Sequence, residues 1–297
     1  NYGFDDVVDF KKQISETLSK CTSAILMDPV YSIPNLLYTS QSNGLIITLE
    51  DHLFTEKGKG RYSKNIKNWT VEKIKKMGGD AVKVLAWYRP DSDKKSIQHQ
   101  KKYIESVGNQ CEKYNIPFLL ELLVYPFKNE IGYSKDYKEQ QGKNHNHVID
   151  SVREFSKTKY KVDIFKLESP VDSSKLEKSK FSKETENAFK QLSRATRNIP
   201  WVMLSSGMSK KSFYNCLKLA YKNGACGYLA GRTIWLDAFR DYPNYSKIKK
   251  NLNKESVNYI KKLNLLTKRK AKSLENYLKN NLAQKKSLKF RNAYKGF

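Results

Sequence analysis

Two lysines, a glutamate and an arginine stand inside or just after apolar runs of this chain. Lys83 lies in "AVKVLAWY", Glu121 in "PFLLELLVY", Lys166 in "VDIFKLES", and Arg232 follows "YLAG". Ser205 and Ser206 close "PWVMLSS". A buried ammonium loses its hydration and is seldom kept without a partner or a task. A lysine attacks a carbonyl only as the neutral amine, a form that burial or a neighbouring cation favours. The set therefore supports Schiff-base chemistry, with Lys166 as nucleophile, Lys83 as neighbouring cation, and Glu121 moving protons as a carbinolamine forms and collapses. A protonated imine then acts as an electron sink for carbon–carbon cleavage. Gly207 and Gly231 let backbone N–H groups approach an oxyanion, and Arg232 can grip it bidentately. A single such lysine would more simply be an ion-paired or snorkelling side chain; the set on consecutive runs favours a site.

These residues need elements that bring them to one place. Strand candidates are 23–28, 44–50, 81–88, 117–125, 162–169, 200–206 and 227–232. Amphipathic stretches at 70–78, 101–114, 183–196 and 210–224 alternate with them, several ending in Gly or Asn, which stop helices. Runs that are apolar on both faces and separated by helices indicate a parallel sheet covered on both sides. The βα rhythm fits a (β/α)₈ TIM barrel, whose strands point their C-terminal ends at one shared mouth. The count is seven, and "DDVVDFKKQISETLSK" at the start reads as a helix. Either the first strand precedes Asn1, or the barrel closes in an unusual way. No GxGxxG or GxxxxGK[ST] follows any strand, which disfavours nucleotide binding.

The chain has 297 residues and a net charge of +26. Such a charge alone suggests a polyanion partner. The excess is lysine spread over helices, densest after about 260, with no basic-aromatic platform or helix-turn-helix pattern. A solvated lysine-rich surface is favoured over a nucleic-acid interface. No apolar run approaches the roughly 18–20 residues of a membrane helix, and no signal peptide is visible. Cys21, Cys111, Cys216 and Cys226 show no CxxC spacing, which argues against zinc or a disulfide framework and suits a reducing cytoplasm. The reading is a barrel domain over 1–245 and a helical, lysine-rich extension over 246–297. It expects a sugar-phosphate partner, no cofactor, no metal and no membrane, and it leaves room for a homo-oligomer.

Five blocks carry a resemblance: "SAILMDPVYSIP", "GDAVKVLAWYRPD", "IPFLLELLVYP", "VDIFKLESPVD" and "PWVMLSSGMSKKSFYNCLKLAYKNGACGYLAGRTIW". Together, over about residues 10–240, the chain resembles the class I aldolases of the tagatose 1,6-bisphosphate type and their relatives that cleave 6-deoxy-6-sulfofructose 1-phosphate. The resemblance implies cleavage of a ketose 1-phosphate to dihydroxyacetone phosphate and an aldehyde. It makes Lys166 the imine-forming lysine, Glu121 the acid/base and Lys83 the second active-site lysine, and it puts Ser206, Gly207, Gly231 and Arg232 in the phosphate-binding segment. Nothing at 1–20 matches the Asp-Gln-Arg segment of the family's first strand, which keeps open a non-catalytic sugar-phosphate-binding homologue with a regulatory role. "LAWYRPD" and "LSSG" lean towards the sulfosugar relatives.

Arg89 either faces an anion at the far end of the substrate or caps a strand before Pro90. Asp28 either lines the mouth or makes a turn before Pro29. His145 and His147 fall in an expected surface loop. Glu168 shares the Lys166 strand face and can pair with either lysine. Trp235 is expected to pack the last helix rather than meet substrate, and the segment after about 240 to lie outside the barrel without chemistry.

Overall fold

The structure is a computed structural model that describes residues 3–135 and 142–275. β1 (Ala24–Met27) and β2 (Gly44–Thr48) are followed by an antiparallel hairpin, β3 (Thr55–Lys57) and β4 (Gly60–Tyr62). Then come β5 (Ala81–Trp87), β6 (Phe118–Leu123), β7 (Ile164–Leu167), β8 (Trp201–Leu204) and β9 (Gly227–Leu229). All strands but the hairpin pair in chain order into one seven-stranded parallel sheet, and every apolar run singled out in the sequence supplies one of them. The helices are α1 (Phe4–Leu18), α2 (Val71–Lys76), α3 (Lys94–Lys113), α4 (His145–Phe155), α5 (Lys183–Ala195), α6 (Lys210–Lys222), α7 (Arg232–Trp235), α8 (Tyr245–Asn251) and α9 (Val257–Lys270).

Strand residues alternate between two cores, as a period of two requires. Val82, Val84, Ala86 and Tyr88 of the β5 run, with Phe118, Leu120, Leu122 and Val124 of the β6 run, join the large core under the helices. Leu85, Trp87, Leu123 and Tyr125 point the other way and meet Leu204 in a second cluster. Lys83 and Glu121 share the parity of this inner set. β5 and β6 are buried along their whole length, which is why their sequence shows no polar face. Helix starts are set by side chains that accept from the first turn: Asp93 from the Ser96 N–H, Ser182 from Thr185 and Ser209 from Ser212.

β1 and β9 end the sheet order. A helix-borne amide spans these two edges: Asn264 of α9 donates Nδ2 to the Cys21 carbonyl at 2.7 Å and accepts from the Tyr228 hydroxyl at 2.7 Å. Ile14, Ser15 and Leu18 of α1 and Ile260 and Thr267 of α9 line the space inside. The segment after 240 thus forms part of the barrel wall, contrary to the expectation from sequence. His145 and His147 likewise lie in the first turn of α4, not in a loop, because Asn144 caps that helix by accepting from the Asn146 N–H. The end of the basic tail, 276–297, lies outside the described residues.

α3 reaches its place only through a glycine. A Cβ built on Gly108 would stand 2.1 Å from the Tyr160 carbonyl oxygen, in the 3₁₀ turn that leads into β7. Gly108→Ala must push helix and turn apart. We expect a loss of about 1–3 kcal/mol, the usual cost of overpacking, read from the urea unfolding midpoint; an unchanged midpoint would mean that the approach is not needed.

Candidate active site

β6 places Glu121 in register with Lys166 of β7 and with Leu85 of β5. The Glu121 side chain is fully buried, and its Oε2 stands 2.8 Å from Lys83 Nζ and 2.9 Å from Lys166 Nζ. One carboxylate oxygen therefore serves two ammonium groups from the strands on either side. Lys83 has a second carboxylate, Glu50, whose Oε1 accepts from its Nζ. Glu50 lies two residues beyond Thr48, the β2 residue in register with Lys83, so the strand's alternation turns it to the same face. The result is a buried chain of alternating sign, Glu50–Lys83–Glu121–Lys166.

Its members are not equivalent. Burial lowers the pKa of Lys166; Glu121 pulls it back up without cancelling the effect, and the charge of Lys83 adds to the lowering. Burial also acts to lower Lys83, but the carboxylates of Glu121 and Glu50 outweigh it and the net shift is upward. Burial pushes Glu50 up, against the opposing pull of Lys83. These opposing influences favour the charged form of Lys83 and ease loss of the proton from Lys166.

Lys83, Glu121 and Lys166 open into a cavity of about 730 Å³. Ser205, Ser206, Gly207, Gly231 and Arg232 line the same cavity. Ser206 and Gly207 both have left-handed backbone, at φ 47° and 79°. Such strain in a non-glycine residue persists only where its surroundings hold it. The turn leads into the N-terminus of α6, and the buried Ser206 hydroxyl has no hydrogen-bond partner. Thr233 donates to the Met208 carbonyl at 2.8 Å, tying the Ser206 turn to the Gly231–Arg232 segment. A glycine-bearing turn, a hydroxyl and an arginine along one cavity suit an oxyanion.

Two expected binding residues stand apart from this cavity. Arg89 is buried in a web of its own: Nε and Nη2 donate to the Asp91 carboxylate at 2.9 and 2.7 Å, and Nη1 donates to the Tyr125 carbonyl and to Glu130. Its guanidinium stacks 3.7 Å from the Phe127 ring centre. Two carboxylates, Asp91 and Glu130, are already paired with Arg89. Asp28 takes its turn-forming alternative, accepting from the N–H groups of Val30 and Tyr31 and from Ser32 Oγ and pairing with Lys11. Glu168 is held by Lys143, at 3.0 Å, and by the Val124 N–H. Trp235, in contrast, lines the cavity. Glu50 is the residue missed: it ended a strand candidate, and its signal was a carboxylate on the parity of Thr48. Among the described residues no group of three or more His, Cys, Asp or Glu side chains could hold a metal, and no helix is long and apolar enough to cross a membrane.

A family model described as "DeoC/LacD family aldolase" matches residues 2–237. The chain is 34% identical over 238 residues to tagatose 1,6-diphosphate aldolase 1 of Enterococcus faecalis, covering 78% of this chain and 72% of that protein. It is 31% identical over 242 residues to tagatose 1,6-diphosphate aldolase 1 of Streptococcus mutans, covering 79% and 73%. The fold is similar to that of a Schiff-base-forming fructose-1,6-bisphosphate aldolase, with a TM-score of 0.58 at 14% identity over 89% of this chain and 84% of that one. It is similar also to the Plasmodium falciparum fructose-bisphosphate aldolase, at 0.62 and 12% over 91% and 87%. The inner-facing lysine–glutamate chain, the barrel that holds it and these likenesses agree: the chain belongs to the DeoC/LacD family of aldolases, enzymes of the lyase class.

Proposed function

We propose that this aldolase cleaves a ketose 1-phosphate, in the first instance tagatose 1,6-bisphosphate, to dihydroxyacetone phosphate and an aldehyde through an imine on Lys166. The observation that carries the reading is Glu121 Oε2 held between two lysines of which only Lys166 is shifted towards its neutral form. The Lys166 amine attacks the ketone carbon to form a carbinolamine. Loss of water, with protons carried by Glu121, leaves a protonated imine. The proton of the hydroxyl on C4 passes to the Glu121 carboxylate as the C3–C4 bond breaks. The bonding pair moves into the imine as an enamine, and C4 leaves as the aldehyde. Protonation at C3 and hydrolysis release the three-carbon ketone and restore the amine. Lys83, held as a cation, disfavours a second charge on Lys166 and keeps Glu121 ionised between turnovers. Ser206, Gly207, Gly231 and Arg232 are the proposed grip on the 1-phosphate.

The relatives named for the tagatose bisphosphate favour that substrate over the sulfosugar. The feature that pointed to the latter, Arg89 in "LAWYRPD", is neutralised by Asp91 and Glu130.

Borohydride added with dihydroxyacetone phosphate should fix the three-carbon unit to Lys166, located by peptide mass mapping. Attachment to Lys83 would exchange the two lysines' roles, and binding without any attachment would mark a sugar-phosphate-binding homologue. Glu121→Gln should retain substrate binding and lower kcat by about 10²–10⁴-fold, the usual contribution of a placed acid/base; an unchanged kcat in steady-state assays would remove Glu121 from the mechanism. Arg89→Ala strands Asp91 and Glu130, so it should lower stability and reduce kcat/KM on fructose 1-phosphate and tagatose 1,6-bisphosphate by similar factors. A loss confined to the bisphosphate would restore Arg89 as the partner of the far-end anion.

A further inference from the structure

Glu50 is a buried carboxyl that the reaction steps above do not use, and charge counting gives it a task. That task rests on the reading of Lys166 as nucleophile and involves four charged groups. With both lysines protonated and both glutamates ionised the cluster is neutral. Freeing the Lys166 amine by expelling its proton would leave one net negative charge in a site where Glu50, Lys83, Glu121 and Lys166 are each at most 6% exposed, an arrangement that burial strongly disfavours. Keeping the proton on a carboxyl within the cluster avoids that charge.

We propose that Glu50 holds this proton, so that the reactive state is a neutral Glu50 acid, a Lys83 ammonium, a Glu121 carboxylate and a Lys166 amine. The choice between the two glutamates follows from contacts. Glu121 Oε2 touches two Nζ atoms, so its charge is the better stabilised. Among the described residues the one side chain that Glu50 pairs with is Lys83, its own backbone N–H aids the anion only weakly, and its Oε2 is buried without a side-chain hydrogen-bond partner. An orphaned oxygen costs less as a neutral hydroxyl than as part of an anion. The groups around Glu50 agree. Lys83 faces it from β5 and Glu121 stands behind that lysine on β6, with Lys166 beyond on β7. From α3, Tyr103 stands nearby and donates to Asn65, whose backbone bridges to that of Glu50. The single cation in contact is opposed by burial and by a second carboxylate, and the net direction for Glu50 is upward. Glu50 reaches Lys166 only through Lys83 and Glu121 and is therefore a positioning residue.

Glu50→Gln tests this, since glutamine has the shape of the neutral acid. The rate of borohydride trapping on Lys166 is measured against pH. If Glu50 is already neutral, the midpoint of the acid limb stays in place. If Glu50 is an anion, removing it destabilises the Lys166 ammonium, and the midpoint falls by about a unit or more; that result overturns the proposal. A second readout needs no turnover: the infrared band of a protonated carboxyl should be present in the unmodified protein at neutral pH and missing from Glu50→Gln. Identical spectra of the two proteins, or a Glu50→Gln chain that does not fold, would show that the position needs a charge. Failure of the unmodified protein to trap at any pH would instead sink the imine reading, while the infrared comparison still decides Glu50.

Discussion

One carboxylate oxygen between two buried ammonium groups is the constraint on which the site depends. Glu121 cannot neutralise Lys83 and Lys166 together, and both lysines sit where water cannot complete their solvation. The cluster resolves this by asymmetry. Lys83 lies between two carboxyl groups, Glu121 and Glu50, while Lys166 has a share of Glu121 and yields its proton more easily. The proposed imine reaction needs that difference between two chemically identical side chains, because its nucleophile must be an amine and the neighbour must not. The difference comes from placement on parallel strands, where register sets which partner each lysine meets.

The rest of the barrel serves to hold that register. Inner and outer faces of β5 and β6 belong to separate apolar clusters, so a slip of one residue would carry Glu121 out under the helices and a leucine into its place. On the far wall the chain accepts a left-handed serine to turn into α6, and it fastens that turn to the Arg232 segment through Thr233. At Ser206 a left-handed backbone and a hydroxyl without a hydrogen-bond partner among the described residues coincide, on the wall of the cavity.

Much of this was legible in the chain. Lys83, Glu121 and Lys166 declared themselves as charges inside apolar runs, and those runs gave all seven strands of the sheet. Glu50 escaped because it ends its run beside Asp51, and a carboxylate at a strand end looks like surface. The helix at His145 was hidden by its own cap: the asparagines that suggest a loop are the residues that start it. The alternatives for Arg89 stayed open in the sequence for a different reason. The carboxylate that occupies it, Glu130, lies 41 positions further on, and no local pattern reveals such a pairing.

The amide of Asn264 depends on both ends of the sheet at once. It joins Cys21 to Tyr228 across separations of 243 and 36 residues. Closing so long a loop is entropically late in folding, since nearer contacts reward the chain first. The strands that carry Lys83, Glu121 and Lys166 are neighbours in sequence and need no such closure. These side chains can therefore meet before the two edges of the sheet are joined. A chain that ends before α9 lacks the amide that joins those edges.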